Sequence, residues 1–242
     1  MNVVIKVGKE RSNWWKDHML SLLPELNFYL AHEEYEKNTI DFAIVWKPKE
    51  GWLKTFENLK CIISMGSGID HILCDPYLPK NIPIIRTTGH DLSIRMREYV
   101  VLHVLRHHRN LTSIVKSNDL DQWNPIIEPP SHKRCVGIMG LGNLGKDCAE
   151  TLAKIGFNLR GWSKSEKNID NVTSFHGKNQ LKDFIDGVEI LVCMLPLTNE
   201  TKGILNYDLF SMMPKGSFLI NVARGEHLVD NDLLEAISTG KI

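Results

Sequence analysis

An apolar run, Cys135-Val136-Gly137-Ile138-Met139, ends at Gly140-Leu141-Gly142-Asn143-Leu144-Gly145, and a stretch with helical period follows at once. The three glycines make a G-x-G-x-x-G, and the strand before and helix after supply the context in which that spacing has a physical meaning. Gly140 permits a tight turn, Gly142 lets backbone approach a ligand, and Gly145 lets the helix pack on the strand. N–H groups at the start of the helix, those of Asn143 and Leu144 among them, lack partners within it and face any anion placed there. The unit is expected to bind a dinucleotide by its pyrophosphate on a Rossmann-type βαβ unit. The plainer alternative is a structural turn.

The end of the next strand bears on which dinucleotide. A carboxylate about 20 residues past the first glycine accepts the ribose 2′-OH of NAD. Here the residues are Arg160-Gly161-Trp162-Ser163-Lys164-Ser165, and no carboxylate comes before Glu166. Ser163 and Ser165 flank the Lys164 cation, a set suited to a 2′-phosphate, since a hydrogen bond to a charged group contributes ~1.5–3 kcal/mol. NADPH is the expected cofactor, with NADH as the alternative if the loop is only a solvated polar turn.

Apolar strands alternate with helical stretches along the whole chain, which predicts an α/β protein. Strands are expected at residues 3–7, 42–46, 61–64 and 82–86, then at 135–139, 158–162, 172–175, 189–195 and 217–222. Ser12 is placed as an N-cap, residues 92–115 as one long spine helix, and 121–130 as a Pro-rich arm. The division expected is 1–91 for one lobe and 92–242 for the other. Lys+Arg and Asp+Glu both number 29 in 242 residues, so no basic field attracts nucleic acid. No apolar run approaches the ~20 residues of a membrane span. The five cysteines, Cys61, Cys74, Cys135, Cys148 and Cys193, lie far apart and are expected to be buried free thiols rather than disulfides or metal ligands. With no signal peptide in the first twenty residues, a cytoplasmic protein is expected.

Two further loops follow strands. Residues 217–222 run into Ala223-Arg224-Gly225, and ligands of open α/β sheets bind beyond the carboxyl ends of strands. There the Arg224 guanidinium could hold a carboxylate and polarise an adjacent carbonyl; a surface salt bridge is the alternative. Gly66-Ser67-Gly68 follows the 61–64 strand as either a ligand loop or a tight turn, and Trp46 ends its strand as either a pocket wall or a packing residue.

Gly140–Gly145, Leu195-Pro196-Leu197-Thr198-Asn199-Glu200-Thr201 and Asn221-Val222-Ala223-Arg224-Gly225 together resemble the D-isomer-specific 2-hydroxyacid dehydrogenases, in the right order along the chain. Trp14-Trp15, Val45-Trp46-Lys47-Pro48, Met65-Gly66-Ser67-Gly68-Ile69-Asp70 and Gly161-Trp162-Ser163 resemble the branch that reduces glyoxylate and hydroxypyruvate. The resemblance implies a flavodoxin-like substrate domain and a Rossmann domain that is incomplete here. It implies that small 2-oxo acids are reduced to 2-hydroxy acids. Backbone N–H groups of Ser67 and Gly68 would bind the substrate carboxylate, with Trp46 beside them, and Arg224 would orient the substrate. Leu195, Pro196, Thr201, Val222 and Ala223 would border the cofactor. A homodimer built through the spine helix and the arm is also implied.

The family reaction needs a histidine paired with a carboxylate as proton donor. By the resemblance these would follow residues 241–242, so a truncated chain of low activity is expected, with an unpaired edge at the 217–222 strand. His227 matches a non-catalytic position. A dinucleotide-binding or redox-sensing protein without catalysis stays open as the alternative function.

Overall fold

The computed structural model describes all 242 residues, apart from the side chain of Lys9. It divides into two compact units, Met1–Gly89 and His90–Ile242.

In the first unit, β1 (Asn2–Lys6), β2 (Asn27–Leu30), β3 (Phe42–Val45), β4 (Cys61–Ser64) and β5 (Ile84–Arg86) form a parallel sheet in the order β2-β1-β3-β4-β5. This 2-1-3-4-5 order is the flavodoxin-like one. Strands covered on both faces read as continuous apolar runs rather than alternating ones, and Val3, Val4 and Ile5 of β1 are all buried. Val4 packs with Ala43, Val45 and Ile62 on one face, while Val3 and Ile5 pack with Leu30 and Ile44 on the other. Strand β2 escapes sequence reading because it is a four-residue edge, Asn-Phe-Tyr-Leu, that pairs with β1 alone. Helix α1 (Ser12–Leu22) corrects the expected cap: Arg11 holds the N-cap position, and the Ser12 hydroxyl, inside the helix, donates to the Gly8 carbonyl at 3.0 Å. Between β4 and β5 lies the short α2 (Asp70–Leu73).

The second unit opens with α3 (His90–His108) and α4 (Leu111–Asp119). The single helix expected over 92–115 is therefore two. Asn110 stands between them with φ 47°, ψ 41°. Asparagine tolerates the left-handed region that ends a helix, and Ser113 then donates to its side-chain oxygen at 2.8 Å as α4 begins. After residues 122–130, which form no helix or strand, come β6 (Cys135–Met139), α5 (Asn143–Ile155), β7 (Asn158–Ser163) and β8 (Val172–His176). The chain continues through α6 (Leu181–Ile185), β9 (Ile190–Cys193), α7 (Tyr207–Met212), β10 (Phe218–Asn221) and α8 (Asp230–Ser238). Neither α6 nor α7 was expected, since five or six residues are too few to display a helical period. At the end of α8, Gly240 takes φ +66°, the left-handed conformation in which glycine commonly ends a helix.

The second sheet is also parallel, in the order β10-β9-β6-β7-β8, with β6 central and wholly buried. Counted from β6 this is 3-2-1-4-5, five strands of the doubly wound order. In this chain β10 is the outer strand on its side. The Lys241 carbonyl accepts from the N–H groups of Gly216 at 3.0 Å and Ser217 at 3.1 Å, just before β10. Helix α3 packs Val100 and Val104 against the sheet, and Arg97 bridges to Asp147 of α5 at 2.9 Å. At its end the His107 ring stacks on Phe218 at 4.3 Å, and His108 meets Phe157 edge-on at 5.0 Å. The arm is tied down by Arg134, which binds Glu128 at 2.9 Å and Glu189 at 2.5 Å.

Cys61, Cys135, Cys148 and Cys193 are buried and free, but Cys74 is exposed, one residue past α2 where no strand covers it. Burial pushes the thiols of Cys148 and Cys193 up to about 12 and about 11. Among the described residues no helix is long and apolar enough to cross a membrane, and no group of histidine, cysteine or carboxylate side chains is placed to hold a metal.

Candidate cofactor and substrate sites

Strand β6 delivers Gly140 at φ +103°, where its N–H donates to the Trp162 carbonyl at 2.8 Å and ties the turn to β7. A Cβ at Gly140 would meet the Met194 carbonyl oxygen at 2.7 Å, so the chain leaving β9 crowds the turn from the other side. Gly145 is buried in the first turn of α5, and a Cβ there would overlap the Gly140 carbonyl oxygen. Gly142 is the opposite case: exposed, at the N-cap of α5, with nothing within 4 Å of where its Cβ would stand. No side chain caps that helix, so the N–H groups of Asn143 and Leu144 present the positive end of a 13-residue helix to open space. These residues fit a pyrophosphate.

The residues at the end of β7 play unequal parts. Ser163 is buried, and its hydroxyl donates to the Ser165 carbonyl at 2.7 Å, so its proton is spent on shaping the turn. Lys164 projects into solvent and pairs with Glu200 at 3.3 Å, an exposed contact that a stronger anion can displace. Ser165 is exposed beside it. Across the sheet, Leu195 is buried and Pro196 exposed after β9. Thr201 closes that loop, donating to the Pro196 carbonyl at 2.7 Å and accepting from the Thr198 N–H at 2.9 Å. Val222 and Ala223, half-buried, follow β10.

Arg224 leaves the end of β10 in extended backbone, φ −139°, ψ 151°, with its guanidinium donating to the Ala223 carbonyl at 2.9 Å. The turn that presents it is held by Asn221, which donates to the Arg224 carbonyl at 2.9 Å and accepts from the Ala223 N–H at 3.1 Å. His227 is fully buried and bonds both to Arg224 and to the Pro196 carbonyl. Sequence reading gave Asn221 no role and set His227 aside. An asparagine closing a strand before a turn was the available signal for the first. Nothing local marks the second, whose partner Pro196 lies 31 residues away.

In the first unit, Ser64 at the end of β4 donates to the Gly66 carbonyl at 3.0 Å, bending the loop that carries Ser67 and Gly68. The Trp46 ring lies against that loop, so close that a Cβ on Gly66 would come 2.5 Å from its Cζ3. The indole also meets His71 of α2, ring centroids 4.4 Å apart. Trp46, Ser67 and Gly68 are thus brought together within this unit.

The sequence pattern of the D-isomer specific 2-hydroxyacid dehydrogenase, NAD binding domain matches residues 99–242. The whole chain aligns with glyoxylate/hydroxypyruvate reductase A of Yersinia enterocolitica at 37% identity, covering 79% of that protein. A D-isomer specific 2-hydroxyacid dehydrogenase from Xanthobacter autotrophicus Py2, solved with NADPH and MES, superposes with a TM-score of 0.93 at 34% identity, over 100% of this chain and 78% of that one. An NADPH-dependent glyoxylate/hydroxypyruvate reductase from Sinorhizobium meliloti, solved with NADP and sulfate, gives 0.91 at 31% identity, again over 100% of this chain and 78% of its own.

Proposed function

Because the chain belongs to the D-isomer specific 2-hydroxyacid dehydrogenase family, we propose that it serves NADPH-dependent reduction of a small 2-oxo acid, glyoxylate or hydroxypyruvate, to the 2-hydroxy acid. The observation that carries this reading is the pairing of an open, uncapped α5 N-terminus with a β7 end that reads Ser163-Lys164-Ser165, with no carboxylate before Glu166. NADPH supplies the hydride when bound. The turn Gly140–Gly145 holds its pyrophosphate through the N–H groups of Asn143 and Leu144. Lys164 and the Ser165 hydroxyl take the 2′-phosphate, Lys164 exchanging Glu200 for it. Leu195, Pro196, Thr201, Val222 and Ala223 border the nicotinamide half.

Arg224 orients the substrate carboxylate and stabilises negative charge that develops on the carbonyl oxygen. Within the first unit, the backbone N–H groups of Ser67 and Gly68 form a loop suited to a carboxylate, with Trp46 as its apolar wall. The lobe functions follow, Met1–Gly89 for substrate and His90–Ile242 for dinucleotide, a boundary two residues before the expected 1–91 and 92–242. His227 is not the proton donor in this scheme, because both its ring nitrogens are engaged inside the unit.

A homodimer through α3, α4 and the arm completes the reading. Trp123 and Ile127 are 93% and 97% exposed, next to Leu120 at 66%, an apolar surface of the kind a second subunit covers. A cytoplasmic setting accords with the free thiols.

The test is a fluorescence titration of both reduced cofactors. NADPH is expected to bind about ten- to a hundredfold more tightly than NADH. Ser163→Asp, which places a carboxylate beside the 2′-phosphate, is expected to narrow or reverse the ratio. Equal affinities in the unsubstituted chain would overturn the assignment.

A further inference from the structure

His227 sits on the single 3-10 turn that follows Arg224, with its ring wholly inaccessible to solvent. The Arg224 N–H lies 3.2 Å from Nδ1, and the Pro196 carbonyl oxygen lies 3.3 Å from Nε2. One tautomer serves both. With the proton on Nε2, Nδ1 accepts from Arg224 and Nε2 donates to Pro196. With the proton on Nδ1, a lone pair on Nε2 would face the lone pairs of Pro196. The Nδ1–H would then turn to the Arg224 carbonyl, 3.2 Å away, which already accepts from Asn221.

Pro196 is also where Thr201 donates, so one carbonyl gathers the hydroxyl that closes the 195–201 loop and the ring that holds the arginine turn. Main-chain bonds run alongside, from the Gly203 N–H to the Glu226 carbonyl and from the Leu205 N–H to the His227 carbonyl, both at 2.9 Å. These tie the two loops one turn further from β9 and β10. At the level of Arg224 itself, the imidazole is the link to Pro196.

We propose that His227, as its neutral Nε2–H tautomer, is a positioning residue that fixes Arg224 against the Pro196–Thr201 loop, so that substrate-carboxylate affinity depends on this ring. The proposal rests on the role given to Arg224 above. It assigns His227 a larger effect on the anion than on the cofactor, whose phosphates would lie at α5 and at the end of β7, with only the nicotinamide half beside the Pro196–Thr201 loop.

The experiment uses the full chain and three readouts. Nitrogen-15 NMR of the imidazole reports the tautomer directly, amide hydrogen exchange at Arg224 reports its N–H bond, and titrations with NADPH and then oxalate report the two ligands. Oxalate stands in for the 2-oxo acid because it cannot be reduced. Asparagine at 227 can place its oxygen near the position of Nδ1, whereas glutamine can place its amide near Nε2.

The expected results are an Nε2–H signal, slow exchange at Arg224, and loss of that protection in His227→Leu and His227→Gln but not in His227→Asn. Oxalate should weaken about tenfold in His227→Leu, with partial recovery in His227→Asn, while NADPH affinity changes less than about twofold. An Nδ1–H signal, or unchanged oxalate affinity in a folded His227→Leu, would overturn the proposal. Failure of the unsubstituted chain to bind oxalate would count against Arg224 as the anion site. The tautomer and exchange results would still decide whether the ring fixes the arginine turn.

Discussion

Both units follow a parallel strand with a glycine-bearing loop, yet the glycines answer to different neighbours. At Gly140 and Gly145 the obstacle to a side chain is backbone, the Met194 and Gly140 carbonyl groups, and Gly140 also needs a positive φ. At Gly66 the obstacle is a side chain, the Trp46 ring, and no positive φ is required. The first loop runs into a helix of 13 residues and the second into one of four. A backbone-closed turn with a long helix behind it is a general anion cradle, and it recurs wherever phosphates are bound. A turn closed on an indole depends on side chains, here Trp46 together with the Ser64 hydroxyl that bends it, so its form can be changed by altering Trp46.

The sharpest way to break this comparison is Gly145→Ala. The added methyl must drive α5 away from the Gly140 turn, so NADPH affinity should fall about a hundredfold or more and the protein should lose roughly 1–3 kcal/mol. Gly142→Ala, whose methyl meets nothing of the protein, should leave the thermal transition where it was and reduce NADPH affinity alone. Equal effects of the two substitutions on melting would show that the turn is not backbone-closed.

A smaller effect is expected at the other loop. Gly66→Ala should destabilise by ~1–3 kcal/mol, because a large ring has to move. In a Trp46→Leu background the same alanine should cost much less, so a double-mutant cycle by denaturant unfolding should show a coupling of ~0.5 kcal/mol or more. Strict additivity would mean that the indole does not set the loop.

The smallest contrast is in acid. In the second unit, His107 and His108 are held below the ordinary histidine value of 6.5, first by burial and then by the nearby cations Arg106 and Arg134. The unfolded chain binds protons at these sites before the folded one does, so stability should fall as pH drops below about 6.5 and level off below the folded values. In the first unit, the lowered groups are Glu33, hydrogen-bonded to Lys16, and Asp41, hydrogen-bonded to Lys60. Their contribution is complete at neutral pH and is lost only as pH falls through the carboxylate range, from 4.5 and 3.8 downward. Amide exchange resolved by unit should therefore show the second unit loosening first. His108→Asn should flatten part of that early slope, and a first unit that loosens at higher pH than the second would refute the ordering.

Much of this molecule is written locally. The glycine spacing between a strand and a helix, the missing carboxylate after Trp162 and the arginine after β10 are all visible because each depends on residues a few positions apart. The alternation of apolar runs with helical stretches likewise indicates parallel sheets. Short elements escaped for a related reason. Strand β2 and helices α6 and α7 are too brief to show a period, and the break at Asn110 hides within a pattern that continues on both sides of it.

By itself, then, the sequence determined the two α/β units, the glycine turn between strand and helix and the family, since backbone geometry at glycine and the period of apolar residues are properties of neighbouring positions. Tertiary structure alone decided that Ser163 spends its proton on its own turn, that Lys164 is paired with Glu200, that Trp46 closes on Gly66 and that His227 joins Arg224 to Pro196. For most of these contacts the partners come from different strands and loops of a sheet. Even the Ser163 turn depends on how β7 ends. Which side chains meet there follows from strand order and from the competition among donors and acceptors in a dry interior, neither of which a linear spacing records.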